Sequence, residues 1–231
     1  MSSATTTVSD QNSSARRSAV SASGIQPVAP VDRRLLAGRF GLFASIAAVG
    51  LIADLATKSW IFDRLGMPGG DAIPLIDGVL SLETQLNRGA LFSLGQGYQP
   101  LFALLSVAAI VFILVWLFVK GAARELWLTV ALAMVMAGVL GNLWDRVGIP
   151  GLVWDQFAPH RELVGQPVHA VRDWIHFEIA AIGFDWPVFN IADSLLVCGA
   201  IMLGWHAIRT EVRASTGEDS ADGGEARVTS G

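Results

Sequence analysis

Charged residues are scarce in this chain, at 16% of 231 residues, against roughly 25% in a typical soluble domain. Two stretches, 101–119 (LFALLSVAAIVFILVWLFV) and 126–144 (LWLTVALAMVMAGVLGNLW), contain no charge at all. Cysteine occurs once, at Cys198, which excludes an internal disulfide framework and a thiolate metal cluster and leaves a packed, inert thiol as the plain reading. No basic run marks a nucleic-acid surface, and much of the acidity behind the net charge of −4 lies after Glu211. Also missing is an apolar block directly after a short basic start, so the N-terminal region does not read as a cleavable signal peptide.

What is abundant is apolar sequence, at 52% of residues with a mean hydropathy of +0.50. It is gathered into long blocks rather than spread at amphipathic spacing. A helix rising 1.5 Å per residue needs about 20 apolar residues to cross the hydrocarbon core. Four blocks are long enough: 40–62, 101–119, 126–144 and 188–208. The expected fold is therefore all-α, with four transmembrane helices spanning 35–210. The Ser- and Ala-rich residues 1–34 and the acidic residues 211–231 are expected to be disordered.

With four spans, both termini share a side with the short loop of Lys120 and Arg124, and that side holds ten of the sixteen Lys and Arg residues. The positive-inside rule then places both termini in the cytoplasm. The long connections 63–98 and 145–187 face outward. The first has Gly and Pro punctuation and a strand-like stretch at 79–86, which predicts a small extracytoplasmic β element between spans one and two. The second carries the amphipathic segment DWIHFEIAAIGF (173–184), expected to lie in the interface between spans three and four.

Ionisable residues within a span cost about 2.5 to 3.5 kcal/mol each on insertion scales, so each asks for a partner or a function. Asp54 and Lys58 stand four apart on one helical face, where an ion pair that seats the first span accounts for them as well as a functional role does. Asn142, Asp145 and Arg146 collect at the end of the third span. Interfacial anchoring explains Arg146 and Trp144 but not the asparagine. Asn190 and Asp193 share a face at the start of the fourth span, where a capping role explains one of them. Asn87 and Arg88 precede the second span in a glycine-rich turn. Asp173 reads by position alone as a solvated loop carboxylate, but its neighbours Trp174, Ile175 and Phe177 belong to a segment expected to hug the membrane, where a carboxylate is partly desolvated and its pKa raised.

Taken in order, DLATKSW (54–60), NRGALF (87–92), NLWDR (142–146), VRDWI (171–175) and FNIAD (189–193) resemble the lipoprotein signal peptidase, or signal peptidase II, family across roughly residues 40–205. The resemblance implies a bacterial inner-membrane aspartic endopeptidase that removes the signal peptide of a prolipoprotein just before a lipid-modified cysteine. It implies catalytic roles for Asp173 and Asp193, with supporting roles for Asn87, Asn142, Arg146 and Asn190. Asp54, Lys58 and Asp145 are further family positions. No metal or other cofactor is implied, and the partners are lipid-modified prolipoproteins and membrane lipids, with one chain sufficient for a site. Two carboxylates about 3 Å apart share one proton, as in aspartic proteases generally.

The chain departs from the family pattern at Leu91, where a second Ala is usual, a change expected to narrow the groove near Phe92. It also departs in the length of 147–172, in which His160 and His169 have no ligand-like companions. His176, three residues after Asp173, is either a perturber of that carboxylate or a solvated side chain. A small proton-coupled transporter or channel using the carboxylates as a relay is the alternative function. A non-catalytic assembly subunit is a further one. The first does not account for polar groups gathered at one end of otherwise clean spans, since relays sit near the midplane, and the second predicts no loss of activity when the aspartates become asparagine.

Overall fold

The computed structural model describes residues 33–89, 95 and 97–225. The N-terminal residues expected to be disordered therefore lie, up to Asp32, outside the described residues, as do 226–231. Four helices are long and apolar enough to cross a membrane. Helix α1 is Arg33–Leu65. Helix α2 is Gln99–Leu114 and ends in a π-helical turn, Val115–Val119, where Lys120 N–H donates to the Val115 carbonyl at 2.9 Å. Helix α3 is Leu126–Arg146, and α4 is Ile191–Glu225. The backbone of α4 runs into the acidic stretch for which no order was expected.

Helix α3 is the centre of the bundle. Its most apolar window is 56% buried, against 11 to 17% for the windows of the other three. The outer helices bury only a stripe. On α1 that stripe is Phe43, Ala47, Asp54, Lys58, Ile61 and Phe62, spaced so that they stack on one face. The remainder of α1 and α2, including Val49, Ile52 and Phe112, is apolar and exposed, as surfaces in contact with lipid are.

Lipid tails are as apolar as the side chains they would surround, so helix association there relies on close packing through small residues. A Cβ added at Gly138 would meet the Ala192 carbonyl and Leu196, and one at Gly199 would lie 2.6 Å from a Val135 methyl. Gly199 is thus the α4 residue that faces α3, and Cys198, one position away, is exposed. The packed thiol expected from sequence is corrected by that 100° step around the helix.

The β element is larger than the sequence indicated. Strands β1 (Ile73–Ile76) and β2 (Leu80–Asn87) come from the first outer connection, and β3 (Val171–Ile179) and β4 (Phe184–Phe189) come from the second. They form one antiparallel sheet in the order β1-β2-β3-β4. The segment 173–184 is thus mostly strand, because Asp, Ile, Phe and Ile at 173, 175, 177 and 179 alternate with Trp, His and Glu at the period of two that a pleated strand presents. Gln85 pairs with Asp173, and Asn87 with Val171. Strand β4 stops at Phe189, one residue before Asn190 and the start of α4. The sheet therefore carries Asp173 to the N-terminus of α4.

His176 ties three strands together. Its Nε2 lies 2.8 Å from Asp185 Oδ1 on β4 and its Nδ1 lies 3.5 Å from Glu83 Oε2 on β2. The hydrogen bond to Asp185 raises the imidazole pKa above 6.5, helped by the charges of Glu83, Asp185 and Glu178 and opposed by partial burial. A raised folded-state pKa gives stability that is fully present below the unfolded value and lost as pH rises through the folded one. Amide exchange of β3 and β4, corrected for intrinsic rate, is expected to quicken as pH climbs above about 6.5. His176→Gln should remove that pH dependence.

Candidate active site

The site is built where the C-terminal turn of α3, the N-terminus of α4, the outer part of α1 and the first residues of β3 converge. Its base is a set of buried charges. Lys58 Nζ lies 2.8 Å from Asp54 Oδ2 and 3.1 Å from Asp145 Oδ2, and all three side chains are inaccessible to solvent. Asp145 Oδ1 accepts from Arg172 Nε at 2.9 Å, and its Oδ2 accepts from the Arg172 backbone N–H at 3.1 Å. Arg172 Nη1 donates to Ser59 Oγ at 3.3 Å. Asp54 Oδ1 accepts from the Ala192 N–H at 2.9 Å, which satisfies one of the free donors at the start of α4. The Asp54 and Lys58 pair is thus one edge of a network joining α1, α3, α4 and β3.

Above it lies a layer of amides. Asn142 Oδ1 accepts from Lys58 Nζ at 3.1 Å and from Asn190 Nδ2 at 3.2 Å, and its Nδ2 donates to Asp193 Oδ1 at 2.8 Å. Asn190 Nδ2 also donates to Asp173 Oδ1 at 2.6 Å. Asn190 Oδ1 accepts from the Asp193 N–H at 2.9 Å, while Asp193 Oδ2 accepts from the Asn190 N–H at 3.3 Å. This is a reciprocal capping box. It accounts for both residues at the head of α4, where the sequence reading let capping explain only one.

The two carboxylates differ in setting. Asp173 is 1% exposed, and its Oδ2 is buried without a hydrogen bond. Burial first, and the charge of Asp193 second, raise its pKa well above the ordinary carboxylate value, while Lys58, Asn190 and Asn87 favour its charged form. Asp193 is half-buried and lines a cavity of about 600 Å³. Asn87, Asn142 and Arg146 line the same cavity, with Trp186 and Val188 on the sheet side. Arg146 donates through Nη2 to the Gly89 carbonyl at 3.3 Å, and its guanidinium stands 5.5 Å from the Phe102 ring centroid.

The nine residues that the resemblance named therefore fall in one cluster: Asp173 and Asp193 with Asn87, Asn142, Arg146 and Asn190 around them, and Asp54, Lys58 and Asp145 beneath. The expectation for Leu91 and Phe92 lies outside the described residues. His176 is engaged with Asp185 and Glu83. Arg172 was missed by sequence reasoning. Its only signal was a cation next to Asp173 in a segment otherwise read as interfacial.

Residues 46–209 match the family described as signal peptidase (SPase) II. The chain belongs to that family. It is 43% identical to the lipoprotein signal peptidase of Rhodopirellula baltica over 178 residues, 77% of this chain and 76% of the other. It is 36% identical to the lipoprotein signal peptidase of Pseudomonas putida over 181 residues, 76% of this chain and 92% of that one. A bacterial membrane enzyme solved by the in meso method at 2.3 Å superposes with a TM-score of 0.58 at 28% identity, covering 73% of this chain and 88% of its own. Signal peptidase II proteins are aspartic endopeptidases of bacterial membranes that process lipoproteins. The ion-relay alternative has no observation in its favour.

Removing Asp145 would take the carboxylate from Arg172 and leave Lys58 with Asp54 alone. Breaking a buried ion pair from one side costs about 3 to 5 kcal/mol, so Asp145→Ala is expected to lower the melting temperature in detergent sharply. A Cβ at Gly141 would press on the Asp54 carboxylate and on Ala192. Gly141→Ala should therefore destabilise the protein too, whereas Gly38→Ala, with nothing within 4 Å, should leave the melting curve in place.

Proposed function

We propose that this chain removes the signal peptide of lipid-modified prolipoproteins by cutting just before the diacylglyceryl cysteine, with Asp173 and Asp193 as the catalytic pair. The observation that carries the reading is the shared scaffold. Asn142 bonds Asp193 at the wall of a groove large enough for an extended peptide, and Asn190, itself bonded to Asn142, holds Asp173 buried just behind that wall.

The chemistry follows from the difference between the two acids. Asp193 accepts from Asn142 and from the Asn190 backbone, contacts suited to a carboxylate, and it faces the groove where water enters. It takes a proton from that water as the oxygen attacks the scissile carbonyl. Asp173, whose proton is retained by burial and by the neighbouring charge, uses Oδ2 to hydrogen-bond the carbonyl oxygen as negative charge develops there. The proton then passes to the leaving amine, and no covalent intermediate forms. Arg146 and Asn87 line the groove and are placed to hold the substrate backbone.

The same reading puts both termini in the cytoplasm and the site near the outer face, where a prolipoprotein presents its cleavage point. The side with both termini carries ten of the sixteen basic residues, which supports this orientation. The apolar wall of the groove and the exposed apolar flanks of α2 and α4 suit a diacylglyceryl substituent entering from the bilayer. One chain supplies every group in the cluster, which supports a monomer.

Purified protein incubated with a diacylglyceryl-modified prolipoprotein should release the signal peptide. Asp173→Asn and Asp193→Asn should each abolish release while the protein remains folded, and Asp145→Asn should retain part of it. Full activity in either of the first two variants would refute the pair.

A further inference from the structure

A second cavity, of about 340 Å³, lies among α1, the end of α3 and the inserted outer loop. It shares no lining residue with the groove. Leu55, Ser59, Asp63 and Gly66 line it from α1, Trp144 from α3, and Arg172 from β3. On α3 the groove is lined by Val139, Asn142 and Arg146, which lie on the opposite side of the helix from Trp144 by the 100° step.

The polar groups in this cavity are of two kinds. Arg172 is 4% exposed. Its Nε is held by Asp145 and its Nη1 by Ser59. A guanidinium that lines a cavity beside a serine hydroxyl is a site for an anionic oxygen such as a phosphodiester. Asp63, one turn along α1 from Ser59, brings an exposed carboxylate to the same cavity. The charges behind the wall, Lys58 and Arg172 against Asp54 and Asp145, are two of each sign. A simple anion would therefore meet the Asp63 carboxylate, and a simple cation would meet the Arg172 guanidinium. A ligand carrying both charges satisfies both groups.

The position points to the source of such a ligand. The cavity occupies the last turns of α1 and α3 beside Trp144, an aromatic of the kind that marks a membrane interface. Below it, Ile52 is 65% exposed on the same face of α1 as Leu55 and Ser59, a surface for an acyl chain. We propose that this cavity binds the head group of a zwitterionic phospholipid, with the phosphodiester on Arg172 and Ser59 and the ammonium on Asp63. A lipid held there ties the strand that bears Asp173 to the bilayer surface. The proposal stands apart from the assignment of the catalytic pair.

Native mass spectrometry of the full chain in detergent, with phosphatidylethanolamine and phosphatidylglycerol added in turn, tests it. The wild type is expected to retain phosphatidylethanolamine about fivefold better, the size of a half-exposed ion pair. Asp63→Asn, an exposed change that leaves the fold intact, should bring the ratio to about one by losing that pair. Ser59→Phe, which fills the cavity from an exposed position, should abolish retention. The proposal is overturned if Asp63→Asn keeps the wild-type preference, if Ser59→Phe retains the lipid, or if inorganic phosphate displaces it, which would make the cavity a site for free anions.

Discussion

The structure depends on one ionic arrangement, the placement of Asp145 between Lys58 and Arg172. A charged side chain at membrane depth costs about 2.5 to 3.5 kcal/mol if it inserts alone. Here each cation has a carboxylate within 3.1 Å, the Lys58 pairs are shut off from solvent and the Arg172 pair is nearly so. The geometry that neutralises the charges also joins elements far apart in sequence. Lys58 fixes α1 to α3, Arg172 fixes β3 to α3, and Asp54 reaches the first turn of α4. Apolar replacements would fill the same space without the directional contacts that fix α1, α3, α4 and β3 against one another, and those contacts govern how Asp173 lies relative to Asp193.

That scaffold explains how Asp173, at the end of a long connection, is held in a defined position. The connection from Arg146 to Asp173 is long, yet it is clamped at both ends. His169 Nδ1 lies 3.2 Å from the Arg146 carbonyl, and Arg172 grips Asp145 through both its backbone and its side chain. Between the clamps, Trp154, Val168 and Ala170 form a small core of their own with Leu152 and Leu163 packed on it. The inserted length is therefore carried as a side structure, and Asp173 is positioned by its immediate neighbour. The amide layer then separates the two acids by environment: one sealed and unsolvated, the other open to the groove.

The spans were legible in the sequence because hydrophobic length is a local property, and so was the first half of the sheet, from Gly, Pro and the alternation in β2. The second half was not. Strand β3 needs β2 and β4 as partners, and its Asp and Arg interrupt an apolar pattern that is easily read as an interfacial segment. The cluster of site residues was legible only through resemblance, since hydropathy located three outer aspartates without ranking them. The surroundings of Asp145 and Asp173 differ in the structure. Asp145 has every oxygen committed to a cation or a backbone amide, whereas Asp173 keeps an oxygen unbonded. Arg172 escaped notice because its role appears only when residues 27 positions apart are brought together.

The central claim is that Asp173 and Asp193 act with one proton between them, and that burial keeps this proton on Asp173. The pH dependence of kcat/KM for prolipoprotein cleavage tests it most directly. Activity should fall on the acid side, when both acids are protonated, and fall again on the alkaline side, when the proton leaves Asp173. Because the pKa of Asp173 is raised well above the ordinary carboxylate value, the alkaline limb should lie well above the ordinary carboxylate range. A profile with an acid limb alone, flat at every higher pH, would contradict the account.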